Sequence, residues 1–257
     1  MTEGGSAFEK DKIGFFGQGY YSEENYGVPG GYKAYDRDGF WRKTLEGIKR
    51  HATYPGINFD HDRHLDLGCA YGHLLKRSPF KHVVGADISG HALHIAQTEL
   101  DEAGKPSDIL VQLDADFHLP FQPESFGCIT ALDIVEHTRD RQKTIKELAR
   151  LMKEGGVLIV GTPITDTLEG KVWGKYLDKD ASHVSKPSRA ELFRDLENAG
   201  FEVLEYHYYF PLPFAKVGLP RTNIEIVARK TSMSPSALRE SHIRNFPKDR
   251  FLREKSD

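Results

Sequence analysis

Five runs of near-continuous apolar character, at residues 64–69, 82–88, 108–114, 126–132 and 156–162, alternate with helix-patterned segments at 72–78, 90–103 and 140–153. Strands that are apolar along their whole length, rather than at every second residue, are covered on both faces. Alternation with helical crossovers leaves few arrangements: the strands lie parallel in one sheet, wrapped by helices. The end of the chain departs from this rule. A helix at about 188–199 has Ser188 as N-cap, Glu191 as its capping-box partner and Gly200 as its stop. Two strands follow, at 201–210 and 222–230. About eleven residues join them, too few for a crossover helix, so they are predicted to pair antiparallel. The expectation is an α/β fold of five parallel strands closed by an antiparallel hairpin.

With 257 residues and 39% hydrophobic content, the chain can build one such domain with additions. Expected boundaries are 1–50 for an N-terminal lid and helical segment, 51–230 for the ligand-binding domain, and 231–257 for a polar tail. Within the first part a helix is predicted at about 38–51; the tail reads as mobile or loosely docked, with a short helix after Ser234. A formal net charge of −3 supplies no basic field for tracking phosphates, which argues against a nucleic-acid partner. No apolar run is long enough to span a bilayer, and the first twelve residues lack the pattern of a signal peptide, so a soluble, cytoplasmic protein is expected. Cys69 and Cys128 sit in apolar runs and are expected to be reduced core residues.

The stretch HLDLGCAYGHLL, residues 64–75, places Asp66, Gly68, Ala70 and Gly72 between the first strand and the helical pattern after it. Small residues there let a ligand approach the main chain, and the start of a helix offers free N–H groups. The spacing is G-x-A-x-G, not the G-x-G-x-x-G of a pyrophosphate bed. Asp87 closes the second strand, where a carboxylate can accept hydrogen bonds from ribose hydroxyls. Asp114 to Asp116, in LDADFHLPF, follow the third strand beside the same crevice, where a carboxylate can accept from an exocyclic amine.

Together these motifs resemble the class I S-adenosylmethionine-dependent methyltransferases over residues 64–230: DLGCAYG matches the first motif, Asp87 the second, DAD the third and FGCITALDIVEH the fourth. The resemblance implies a Rossmann-like sheet of order 3-2-1-4-5-7-6 with the last strand antiparallel. It further implies S-adenosylmethionine as cofactor, with Gly68, Ala70 and Gly72 flanking its methionine part, Asp87 holding the ribose and Asp116 or the Ala115 backbone meeting the adenine. Asp66, Ile88, Asp114 and Leu132 belong to the same expected wall. Ala70 departs from the family's usual glycine.

Methyl transfer is an in-line displacement, so the protein must aim the acceptor and remove its proton where it carries one. Asp133, Glu136 and His137, in ALDIVEH, stand at the end of the fourth strand, and His183 in the loop after the fifth. His137 and His183 are candidate bases and Asp133 a further catalytic candidate; each also reads as an ordinary structural residue. The D-x-x-E-H spacing resembles the E-x-x-E-H signature of ubiquinone-biosynthesis O-methyltransferases and small-RNA 3′-end methyltransferases, which implies Mg²⁺ or another divalent ion on Asp133, Glu136 and His137, with His183 as a fourth ligand. The tyrosines at 20, 21, 26, 32 and 35, with Trp41, suggest a lid hinged at Gly30 and Gly31, in which Tyr32 touches the cofactor and Arg42 pairs with its carboxylate. The linker PLPFAKVGLPR is a second candidate wall. The preferred expectation is an O-directed methyltransferase for a small molecule, monomeric or homodimeric. An RNA-directed enzyme with a divalent metal, a nicotinamide-dependent oxidoreductase with an all-parallel sheet, and a silent cofactor-binding subunit stay open.

Overall fold

The computed structural model describes residues 11–52, 56–105, 109–176, 180–212, 215–218 and 220–247. The predicted strands form as β1 (Arg63–Leu67), β2 (His82–Asp87), β3 (Ile109–Gln112), β4 (Phe126–Leu132), β5 (Met152–Pro163), β6 (Phe201–Leu212) and β8 (Asn223–Lys230). A short extra strand, β7 (Ala215–Val217), arises inside the linker that was expected to be a loop. The sheet order is β3-β2-β1-β4-β5-β8-β6-β7. The first five strands are parallel, and β8 lies antiparallel between β5 and β6. This is the expected order with β7 added at the edge, and it sets aside the all-parallel sheet of the oxidoreductase alternative.

The helices are α1 (Lys12–Phe15), α2 (Glu23–Tyr26), α3 (Asp38–His51), α4 (Gly90–Glu102), α5 (Arg141–Leu151), α6 (Leu168–Tyr176), α7 (Arg189–Asn198) and α8 (Pro235–Asn245). One face of the sheet carries α5 and α7, whose Ile145, Leu148, Leu192, Phe193 and Leu196 bury against β-strand residues such as Ile129, Leu158 and Ile224. On the other face, Ile48 of α3 packs with Cys128, Val157, Ile159 and Val227. The buried positions of α3, at Phe40, Trp41, Thr44, Gly47 and Ile48, follow helical spacing. A Cβ at Gly47 would stand 3.1 Å from Val227 Cγ2, so the glycine sets how closely this helix approaches the sheet. The helix therefore covers the sheet. Both cysteines are free and buried.

Two expectations fail for local reasons. The helix predicted at 72–78 is reduced to a 3-10 turn at Leu75–Arg77. Gly72 enters it with φ +72, and Ser78, preceding Pro79, is driven to ψ 138, where a helix cannot continue. The tail, over its described part, is docked rather than loose: Leu238 and His242 of α8 are buried, and the His242 ring lies 4.7 Å from that of Phe193. No helix among the described residues is long and apolar enough to cross a membrane.

The capping box predicted for α7 forms: Glu191 N donates to Ser188 Oγ at 3.2 Å, and Ser188 N donates to Glu191 Oε2 at 2.8 Å. Ser188→Ala is expected to lower the unfolding free energy by about 1 kcal/mol. Urea denaturation checks this, and an unchanged midpoint would show that the cap is idle.

Candidate active site

The carboxyl ends of the parallel strands and the aromatic N-terminal segment enclose a cavity of about 600 Å³. Ligands of open α/β sheets bind at this edge, where crossovers leave to opposite sides. The loop after β1 turns sharply: Gly68 has φ +77, and a Cβ there would fall 1.9 Å from Ile134 Cδ1. Ala70 holds a left-handed φ of 44. Asp87, at the end of β2, clamps this loop, because its Oδ2 accepts from Ala70 N at 2.9 Å while its Oδ1 accepts from Ser89 N at 2.8 Å. Burial raises the Asp87 carboxyl, and the backbone donors of Ser89 and Ala70 oppose that rise. Asp66, Gly68, Ala70, Asp87, Ile88, Asp114, Ala115, Leu132 and Tyr32 all line the cavity, as expected.

Three expected cofactor residues lie elsewhere. Gly72 packs behind the loop on Ala96 and Leu100, so its glycine serves the backbone turn at φ +72. Asp116 turns toward a second, smaller depression and accepts from Arg139 N at 2.7 Å. Arg42 is exposed on α3, because the helical phase that buries Trp41 and Thr44 turns it to solvent. At the corner expected for adenine, Lys12 of α1 donates to Asp114 Oδ1 at 2.7 Å and to Asp116 Oδ2 at 2.8 Å.

The opposite wall holds His137 and His183, with ring centroids 4.8 Å apart. Ser182 contacts His137 Nδ1 through Oγ at 2.8 Å, and burial pushes the imidazole down to about 3, so it is neutral. Asp180 lies 3.8 Å from His183 Nε2 and accepts from Tyr20 OH at 3.0 Å. Burial would raise Asp180, but Ser182 and the nearby histidines outweigh it and leave its carboxyl below the ordinary range. Glu136 accepts from Thr162 Oγ1 at 2.9 Å. Burial, followed by the charge of Asp133, pushes Glu136 up to about 8. Its Oε1 is buried with no hydrogen-bond partner among the described residues.

Donor atoms of Glu136, His137 and His183 lie within 4.8 Å of one another. This corrects the expected metal set. Asp133, at φ +54, bonds Asn223 and faces Lys216, and His183 takes its place beside Glu136 and His137. Two imidazoles and one carboxylate, with an orphaned carboxylate oxygen, fit a first-row transition ion or Zn²⁺ rather than oxygen-seeking Mg²⁺.

The second expected wall is present in Pro211 and Lys216. Lys216 Nζ donates to Glu225 Oε2 and, at 3.0 Å, to Thr44 Oγ1. It also stands 4.8 Å from the Tyr209 ring centroid and 5.1 Å from that of Phe40. Sequence reading missed Lys12, Asp180 and Asn223, placed Tyr20 among the aromatic residues without its partner Asp180, and treated Lys216 only as linker. Asp180 was detectable, since it lies three residues before the candidate base His183.

Burial would raise the Glu225 carboxyl, but Lys216 holds it below its ordinary range. The contribution of this pair is therefore present above the unfolded value of about 4.3 and fades as pH falls below it. Lys216→Met strands a buried carboxylate and is expected to cost about 3–5 kcal/mol at pH 7, most of it recovered in Lys216→Met/Glu225→Leu. A double-variant loss equal to the sum of the Lys216→Met and Glu225→Leu losses, measured by urea denaturation, would show that the two groups are uncoupled.

A family model described as a methyltransferase domain matches residues 35–206, about two-thirds of the chain. The chain is 31% identical over 99 residues to Methyltransferase GfsG of Streptomyces halstedii, covering 37% of this chain and 36% of that protein. It is 29% identical over 165 residues to the ubiquinone biosynthesis O-methyltransferase of Azoarcus sp. (strain BH72), covering 60% of this chain and 70% of that protein. The chain thus spans about a third of the length of one relative and about two-thirds of the other. Its fold is similar to that of an S-adenosylmethionine-dependent methyltransferase from Clostridium acetobutylicum ATCC 824, with a TM-score of 0.57 and 18% identity over 88% of this chain and 100% of that one.

Proposed function

The chain belongs to the class I S-adenosylmethionine-dependent methyltransferases, and from that premise we propose that it methylates an oxygen of a small cytoplasmic acceptor, with His183 as the base. When bound, S-adenosylmethionine supplies a methyl group made electrophilic by its positively charged sulfur. The cradle suits this group: Gly68 brings bare backbone to the cavity, Asp66 and Asp87 present carboxylates, and the tyrosines of the lid are aromatic surfaces that tolerate a cation while keeping water out.

The observation that carries the proposal is the pair of imidazoles, His137 and His183, in the wall of the same cavity as the glycine loop. His137 is tied to Ser182 and kept neutral by burial, so it shapes the wall. His183 has Asp180 beside it, a carboxylate that stabilises the imidazolium formed when His183 takes the acceptor's proton. A divalent ion on Glu136, His137 and His183 would instead polarise an acceptor hydroxyl. The O-directed reading draws support from the name of the Azoarcus relative, and the acidic charge balance favours a small molecule over a polyphosphate.

Calorimetric titration with S-adenosylhomocysteine is expected to show binding that Asp87→Ala weakens. His183→Ala should lower kcat on hydroxylated small-molecule acceptors by about 10²–10⁴-fold and leave the Kd for S-adenosylhomocysteine unchanged. Absence of binding, or full turnover in His183→Ala, would overturn the proposal.

A further inference from the structure

Beneath the glycine loop a row of hydrogen-bonded side chains runs from the cavity into the sheet. β1 presents His64 and Asp66 on one face, two residues apart, and Thr130 of β4 is the register partner of Asp66. Thr130 Oγ1 donates to Asp66 Oδ1 at 2.5 Å. A hydroxyl carries one proton, so the Thr130 oxygen must accept from its other neighbour, His64 Nε2, at 2.9 Å. That assignment leaves His64 Nδ1 as an acceptor, and Ser78 Oγ, at 2.8 Å, is the group that donates to it. The Ser78 oxygen in turn accepts from Phe80 N at 3.2 Å. Every link therefore points the same way, from Ser78 toward Asp66.

All four side chains are buried, and His64 and Thr130 are wholly so. Packing alone does not call for a histidine between two hydroxyls here, since an apolar residue of similar volume avoids burying polar atoms. Burial pushes His64 down to about 3, with Lys105 adding to the effect, so the ring stays neutral and keeps a single N–H. Burial pushes Asp66 up to about 7; the Thr130 hydrogen bond opposes that rise and the charge of Asp87 adds to it. The other titratable groups around Asp66 are Tyr32 of the lid, Cys69 of the loop and Cys128 of β4. None of these brings a positive charge.

We propose that His64 and Thr130, neither of which lines the cavity, are positioning residues for the cofactor: the row fixes His64 as its Nε2–H tautomer and keeps Asp66 an ionised acceptor facing the bound ligand. This rests on the methyltransferase reading of the cavity for the identity of the ligand, and on the hydrogen-bond geometry alone for the row.

The test pairs a binding measurement with one that needs no ligand. With S-adenosylhomocysteine as probe, affinity of the wild type is expected to fall by about tenfold per pH unit below the ionisation of Asp66 near 7. Thr130→Val keeps the volume and removes the donor; its midpoint should move up by about one pH unit, with about fivefold weaker binding at pH 7 and wild-type binding at pH 9. Thr130→Ser should restore the wild-type profile, which loss of packing would not explain. Nitrogen-15 spectra of the ligand-free protein should show the His64 ring protonated at Nε2. An Nδ1–H ring, or a Thr130→Val profile that overlays the wild type, would overturn the proposal. Failure of the wild type to bind S-adenosylhomocysteine would instead remove the methyltransferase reading, and the ring spectra would then decide the row by themselves.

Discussion

The two hydrogen bonds accepted by Asp87, from Ala70 N and Ser89 N, tie the glycine loop after β1 to the start of α4. Without them the loop has little reason to hold its shape. Ala70 pays a steric penalty for its left-handed backbone, roughly 1–2 kcal/mol. Hydrogen bonds to a carboxylate are strong enough, at about 1.5–3 kcal/mol each, to offset it. The main chain is thereby kept turned so that its small residues, not side chains, face the ligand. The same clamp brings the ends of β1 and β2 to one rim, so a single cavity can reach both Asp66 and Asp87.

That cavity concentrates acid. Asp66, Asp87, Asp133, Glu136 and Asp180 all border it, while the lysines at its edge, Lys12 and Lys216, are already engaged with carboxylates. Burial pushes Asp66, Asp87, Asp133 and Glu136 toward their neutral forms. A ligand carrying positive charge on nitrogen or sulfur relieves this, since it meets carboxylates that the protein has left short of counter-charge. A pyrophosphate would meet the opposite field.

The aromatic N-terminal segment is held to the cavity rim by ring-on-ring contacts. Tyr21 lies 5.1 Å from Tyr71 and 5.6 Å from Tyr32, and Tyr32 stacks on His73 at 5.2 Å. Such pairs fix a segment made of short helical turns, each too small to bury a core of its own. Gly31 is required where the segment folds over itself, because a Cβ there would reach within 2.3 Å of Tyr21 O. At the β3 end of the cavity the same segment is held by charge instead, through Lys12 between Asp114 and Asp116.

The order of strands and helices was readable because hydrophobic period is a property of neighbours in the chain, and so was the terminal hairpin, where eleven residues leave no room for a crossover. Asp87 and the glycine loop were readable for the same reason: strand ends place them. The stunted helix at 72–78 was missed because the left-handed turn at Gly72 and the Ser78–Pro79 step outweigh a helical pattern only seven residues long. Arg42 and Asp116 do not line the cavity: motif spacing locates a residue along the chain and does not say which way its side chain turns. Tertiary structure alone decided the partners across long separations: Lys12 with Asp114, Tyr20 with Asp180, His64 with Thr130, Thr44 with Glu225. Sequence determined the sheet and the loop because local sterics and periodicity are sufficient for them. The proton positions, the buried charges and the inner wall of the cavity depend on which distant groups share the same dry space, and only the folded chain decides that.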